Sequence, residues 1–375
     1  MEFYLSFNEL LGRGGNSLAI IFLPLFLVMT MLEGLIILYR QGDYPWKNAG
    51  VSLLVTVGHF ITQAAVHGLI FGIIAAFVYK FRLTTIPVSF HNWISLIVLF
   101  LLVDLGFYVE HRCSHRIRFL WASHSVHHSS DKMQATTAFR LSWTPILSRV
   151  ILFYLPIVWI GYDPVWVYGM VSLSLSYQFF VHTELVPHIH WLEWIINTPS
   201  AHRVHHASNP EYLDKNYGGV LLIWDHLFGS YQAERPDLEI RYGLVHPRSS
   251  DNPFVVAYED FWQMIKDVFG AGSVGKALAR MFGAPVELQT KTSPFWKCRN
   301  GPGVQVIFAG DGCAMTVTPA LVFQLLRFAA IRSPGLGREP INLQGVRLAR
   351  VPNSATQRNV AMGHVWTAPA VRQGK

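Results

Sequence analysis

Apolar residues in this chain come in blocks separated by short polar stretches. Residues 17–38, SLAIIFLPLFLVMTMLEGLIIL, form the first block, with Glu33 as its only charge. A helix needs ~20 apolar residues to cross a bilayer, so this block is long enough to span one. A second block covers 49–79, longer than one crossing requires, and is expected to tilt, kink at its glycines or break. His59, Gln63 and His67 recur in it at i, i+4 and i+8, a single stripe of a helix. They are read as packing groups rather than metal ligands. A third block, WISLIVLFLLVDLGFYV at 93–109, carries Asp104. Blocks at 146–161 and 164–181 meet at Gly161-Tyr162-Asp163-Pro164 and read as an out-and-back helical hairpin.

The polar stretches between the blocks concentrate histidine. His111 and His115 in HRCSH are spaced i, i+4. His124, His127 and His128 in HSVHH are spaced i, i+3, i+4, and His202, His205 and His206 in HRVHH repeat that spacing. On a helix each set points to one side. His182 follows the last apolar block. Neutral imidazole is the commonest protein ligand for transition metals, and three such faces can enclose two ions. The hairpin goes out and returns, so all nine histidines are expected at one membrane face. Basic residues favour the cytosolic side of a membrane protein. Arg40, Lys47, Arg112, Arg116, Arg118, Lys132, Arg140 and Arg149 lie on the histidine side, against Arg13, Lys80 and Arg82 opposite. The metal face is therefore expected to be cytosolic and the N-terminus external; were 49–79 a re-entrant pair, the N-terminus would move inside.

The expected fold class is all-α: an integral-membrane helical bundle with a cytosolic, histidine-rich di-metal cap. Three parts are expected: N-terminal transmembrane helices at 1–92, a metal-bearing domain at 93–270, and a basic, poorly ordered tail at 271–375. The tail is rich in Arg, Pro, Gly and Ser. It also carries the charge. The net is −3 over residues 1–270 and +10 over 271–375, giving the chain its +7. At 51% hydrophobic and 14% charged residues, the composition excludes an ordinary soluble domain. The N-terminus shows no pattern of a removable signal peptide. Cys113, Cys298 and Cys313 form no CxxC pair. Cys113 sits inside a histidine box, which suits a reducing compartment. A multi-pass protein of the bacterial cell membrane or the endoplasmic reticulum is expected, with no nucleic-acid partner.

A catalytic zinc uses three protein ligands and one open position, and no HExxH places a glutamate beside His111 or His124. Nine histidines instead suit two iron ions with room for dioxygen. Such a centre removes hydrogen from an unactivated C–H bond, and a membrane cavity beside it admits a lipid chain. No dinucleotide fingerprint, flavin motif, CxxCH or four-cysteine pattern appears. The two electrons must then come from an external reductant. A histidine-rich metal-binding or transport protein is a reading of another class; its histidines would line a path across the bilayer. A zinc-dependent membrane hydrolase is a third reading, lacking its glutamate.

HRCSH, HSVHH and HRVHH, with His182 between, resemble the histidine boxes of the fatty acid hydroxylase and sterol desaturase superfamily. Its members are integral-membrane, non-haem di-iron oxygenases. The flanks HTELV, NTPSAHRVHH, NPEYLDKNYGGVLLIWDHLFG and WASHSVHHSS followed by TTAFR are similar to the alkylglycerol monooxygenase-like branch. Two positions depart from that branch: Ala201, where a histidine commonly precedes the third box, and Glu110, where an aromatic is usual. The resemblance implies that His111, His115, His124, His127, His128, His182, His202, His205 and His206 are iron ligands. It makes Asp104, Glu184, Asp214 and Asp225 the groups that orient ligand rings, with Asn216, Tyr217 and Gly218 positioning the third box. Arg140 is left between a substrate head group and the membrane surface, and His188 and His190 are unassigned. The implied reaction is dioxygen-dependent hydroxylation of a lipid C–H bond, an ether lipid favoured. The implied donor is a reduced pterin; elsewhere in the superfamily, sterol or fatty acid desaturases and hydroxylases use a small electron-transfer protein.

Overall fold

The structure, a computed structural model, describes residues 16–144, 150–285, 304–309 and 312–317. The chain divides into two units, Met1–Trp296 and Lys297–Lys375. Among the described residues of the first unit, every helix or strand element is helical. Helix α1 is Asn16–Gln41, α2 Trp46–Lys80 and α3 Trp93–Arg116. Phe22–Gln41 and Trp93–Arg116 are long and apolar enough to cross a membrane. Helix α2 does not break at its glycines: its 35 residues run as one rod, about 52 Å at 1.5 Å per residue. One of those glycines has a packing use. A Cβ on Gly58 would collide with the Trp143 ring, whose Nε1 donates to the Val55 carbonyl.

The hairpin differs from expectation in its first arm. Within the described part of that arm, 150–161, the chain forms a 3-10 turn at Val150–Phe153 and a short α5, Leu155–Ile160, rather than one continuous helix. Pro156 has no N–H for the Leu152 carbonyl and its ring crowds the preceding turn, so α5 starts afresh with the proline in its first turn. Gly161, at φ 136°, reverses the chain, and a Cβ there would collide with the Thr84 carbonyl. The Asp163 carboxylate caps α6, Pro164–Phe179, by accepting from Val165 N at 2.8 Å. The turn is tied to the segment joining α2 to α3: Leu83 N donates to Trp159 O and Ile86 N to Gly161 O. Leu99 and Val103 of α3 pack there with Ile157, Val158 and Val167. This apolar end holds the helices together, and the histidines lie at the other end of α3.

Helix α4, Arg118–His128, starts two residues after α3 ends, because extended Ile117 folds the chain back. Then come α7, Pro199–His205, and α8, Ile223–Leu227. After them come α9, Pro253–Phe269, and α10, Val274–Phe282. Ala122 of α4 packs on Phe261 and Met264 of α9, with Met281 of α10 beside them. Arg118 N donates to Gly283 O. The packed unit therefore passes the limit drawn at 270; composition averaged a short amphipathic helix into the polar tail. In the second unit, β1, Val304–Ala309, pairs antiparallel with β2, Gly312–Val317, from Val304 opposite Val317 to Ala309 opposite Gly312. The remaining tail positions, to which poor order was assigned, lie outside the described residues.

Candidate metal centre

Four elements bring the nine box histidines to one place. The last two turns of α3 present His111 and His115, and α4 presents His124, His127 and His128. His182 follows α6. Helix α7 is two turns long; Thr198 caps it by accepting from Ala201 N at 3.2 Å, and Pro199 opens it. Proline at a first helical position loses nothing, since that N–H has no partner in any helix. Its i, i+3, i+4 spacing aims His202, His205 and His206 at the other six. The rings form two groups. His111, His115, His124, His128 and His205 make one, His127, His182, His202 and His206 the other, with ligand atoms within 4.8 Å of one another in each.

Four rings have their tautomer fixed by a backbone carbonyl. His111 Nδ1 donates to Tyr217 O at 2.8 Å and His205 Nδ1 to Lys215 O at 2.9 Å. His182 Nδ1 donates to Gln178 O at 2.7 Å and His127 Nδ1 to Arg140 O at 3.3 Å. A carbonyl oxygen only accepts, so each facing nitrogen carries the proton and each Nε2 keeps its lone pair. His127 Nε2 and His182 Nε2 are 3.1 Å apart. Both are unprotonated in the neutral rings, so no hydrogen bond joins them; two lone pairs face each other. His115 Nε2 and His205 Nε2 are buried with no hydrogen-bond partner. Burial pushes the His127 imidazole down to about 4 and those of His124, His128, His182, His202, His205 and His206 well below their usual range. Neutral rings converging their lone pairs fit transition-metal ions. A pocket reaches the first group past Trp121, Leu213, Asp214 and Leu244.

The loop after α7 presents two of the four carbonyls. Asp214 and Asn216 are left-handed, at φ 63° and 54°, a region that Asp and Asn tolerate better than other side chains with a Cβ. They alternate with Lys215 and Tyr217, whose carbonyls take the rings. Asn216 is fully buried. Its Nδ2 donates to Ala201 O at 2.9 Å and Gln232 O at 2.8 Å, and its Oδ1 accepts from Gln232 N. Asp225 accepts from Tyr217 N, Gly218 N and Ser230 Oγ at 2.8, 2.7 and 2.6 Å. Asp104 accepts from Val220 N, Leu221 N and Trp224 Nε1. A Cβ on Gly218 would meet Leu221 O, and one on Gly219 would lie 2.7 Å from Phe107 Cδ1. Asp104 and Asp225 therefore bind the loop backbone rather than ligand rings. None of the donors on either carboxylate is an imidazole. Asp214 lies 3.8 Å from Arg116, and burial, followed by the charge of Glu184, holds the Tyr242 hydroxyl above its usual range.

Other predicted positions also find places. Ala201 is fully buried, and Glu110 accepts from Ser114 Oγ at 2.8 Å. The Arg140 guanidinium is buried and donates to Ser52 Oγ, Ser129 Oγ and Asn48 O, tying α2 to the second box. His59 Nδ1 donates to Ser142 O at 2.6 Å and belongs to neither histidine group; the side chains of Gln63 and His67 lie outside the described residues. His188 and His190 join neither group, and His188 Nε2 is 3.2 Å from Glu193 Oε2. Sequence reasoning missed three supports. Glu33 accepts from Ala135 N and Thr183 Oγ1. Glu193, fully buried, accepts from Thr198 Oγ1 and the Tyr231 hydroxyl. Arg203 donates to the carbonyls of Thr183 and Val186, which binds HTELV to HRVHH. The signal available was a lone charge in an apolar block and an arginine inside a histidine box.

Comparison with known proteins shows what the chain is similar to. Residues 96–230 match the family described as fatty acid hydroxylase, a stretch that contains all nine histidines. The chain is 36% identical to an alkylglycerol monooxygenase of Xenopus tropicalis over 251 residues, 63% of this chain and 54% of that protein. With the Danio rerio alkylglycerol monooxygenase the identity is 40% over 208 residues, 54% of this chain and 41% of that one. An ornithine lipid hydroxylase, OlsE, of Rhizobium tropici is 28% identical over 147 residues, 39% and 43% of the two chains. The chain spans about half the length of the curated relatives it matches. No solved structure matches it. These findings bear out the resemblance to the superfamily and to its alkylglycerol monooxygenase-like branch.

Proposed function

We propose, from a fatty acid hydroxylase match that spans all nine histidines, that this protein is a membrane-bound di-iron oxygenase hydroxylating a C–H bond of a lipid. The observation that carries the reading is the pair of neutral nitrogen-donor groups with converging lone pairs. In this reading His111, His115, His124, His128 and His205 hold one iron, and His127, His182, His202 and His206 the other. Two irons held there would supply dioxygen activation and hydrogen abstraction from an unactivated carbon. The chain's own residues do the rest. Backbone carbonyls of Tyr217, Lys215, Gln178 and Arg140 keep the protons on Nδ1, so Nε2 stays free. Asp104, Asp225 and Asn216 keep the loop from moving, and burial keeps bulk water away. The metal face is assigned to the cytosol of a multi-pass protein on the distribution of basic loops.

The substrate favoured is an ether lipid. Dioxygen, two electrons and two protons convert the C–H bond to C–OH and release water. On the carbon beside an ether oxygen this gives a hemiacetal, which collapses to an aldehyde and a free glycerol hydroxyl. That carbon is favoured because the adjacent oxygen stabilises a radical. The electrons come from an external donor, with reduced pterin favoured over an electron-transfer protein.

The test supplies iron-loaded full chain in lipid nanodiscs with an alkylglycerol, dioxygen and either donor. Aldehyde formed only with reduced pterin supports the reading. A hydroxylated or desaturated sterol or fatty acid would instead keep the oxygenase and replace the substrate. No lipid oxidation, with zinc filling both positions, would contradict the enzyme reading and leave the metal-binding one.

A further inference from the structure

Helix α9 has two apolar faces, and the packing of the unit accounts for only one. Val256, Ala257, Phe261 and Met264 are buried; Val256 packs with Val51 and Val55 of α2 and Val126 of α4. Phe254, Tyr258, Trp262, Ile265 and Phe269 are exposed, Trp262 at 59% and Phe269 at 87%. At ~100° per residue these five fall in an arc of about 80°. Helix α10 repeats the pattern with Val274, Leu278 and Phe282 exposed at i, i+4 and i+8. Soluble surfaces rarely expose apolar side chains in such a row.

The stripe is continuous with the apolar flank of α2. Phe254 and Tyr258 make ring contacts with Trp143, at 5.2 and 5.7 Å between centroids. Trp143 in turn lies on Gly58 of α2. Around Gly58, helix α2 exposes Leu53, Leu54, Val57, Phe60 and Ile61. These contacts fall in the first turns of α2, at 51–58, which puts α9 near one end of that helix. Lys266 lies over the Trp262 ring at 5.6 Å, and Lys276 and Arg280 are exposed on α10. Aromatic side chains beside basic ones are what the headgroup layer of a bilayer takes.

We infer that α9 and α10 lie in the headgroup layer of the same bilayer that α1 and α3 cross, their exposed apolar stripe set against acyl chains. The adjoining face of α9 holds α4, so the bilayer surface, by holding α9, braces the helix that bears His124, His127 and His128. A partner protein, a second copy or the chain beyond residue 285 are the competing occupants.

Photocrosslinking of the full chain in phosphatidylcholine–phosphatidylglycerol nanodiscs tests this. p-Benzoylphenylalanine replaces Trp262 or Phe269 on the stripe, Gln263 on the polar face, and Leu54 on α2 as a lipid-facing reference. Metal content, unchanged by each replacement, shows that the fold is kept. Lipid adducts at 262 and 269 matching those at 54, with none at 263, are expected. Adducts from 262 and 269 to protein, whether a second copy or residues after 285, would overturn the inference. So would the absence of lipid adducts at both positions while 54 reacts.

Discussion

Asn216 does what no other residue type can do at its position. It accepts a left-handed backbone and spends both amide hydrogens on carbonyls, one of them on the helix of the third box. Asn216→Asp keeps the shape and turns an acceptor oxygen toward those two carbonyls. A buried acceptor left against acceptors costs about 1–3 kcal/mol, so thermal unfolding should move down. Metal content should fall with it, because Lys215 and Tyr217 sit on either side. Asp225→Asn is expected to act more weakly in the same direction. It keeps one oxygen for Tyr217 N, Gly218 N and Ser230 Oγ and sets an amide N–H against a donor. Denaturant unfolding of the two variants in detergent, followed by metal analysis, checks both. Unchanged metal retention in Asn216→Asp would sever the loop from the centre.

At the scale of elements, the three boxes were legible because metal ligation needs side chains on one helical face, and spacing states the face directly. What orients the rings was not legible, since backbone carbonyls leave no mark on residue type; of the carboxylates expected in that role, Asp104 and Asp225 serve the loop instead. The flank motifs become readable only with contacts in hand: Trp224 reaches Asp104, and Arg203 reaches Thr183 and Val186. Periodicity found α6 but overestimated the helix before it, where Pro156 divides an apolar run without lowering its hydropathy. It left α10 in the tail because a nine-residue helix is shorter than a compositional window. Two outcomes follow. Thr198→Ala removes the cap of α7 and should cost about 1 kcal/mol of stability, read from the unfolding midpoint. A chain ending at 285 should unfold as the full chain does. One ending at 270 uncovers Phe119 and Met281's partners on α4 and should unfold at lower temperature; equal midpoints for both would make α10 dispensable.

At the largest scale, that of the first unit, an apolar end fastened by α3, α5 and α6 opposes an end where α3, α4, α7 and the chain after α6 bring nine neutral rings together. Burial there stabilises uncharged imidazole, yet His127 and His182 hold lone pairs against each other, an arrangement that only a bound cation makes favourable. Chelation should therefore lower the unfolding temperature, by an amount that grows with the affinity lost, and iron should restore it. The same geometry sets the stoichiometry. Metal analysis of the full chain, purified from iron-supplied cells into nanodiscs, should find two transition-metal ions per chain. His205→Ala and His182→Ala, one in each group, should each leave about one. A single ion in the unaltered chain, or two retained in both variants, would contradict the central claim that these nine histidines build a di-metal site.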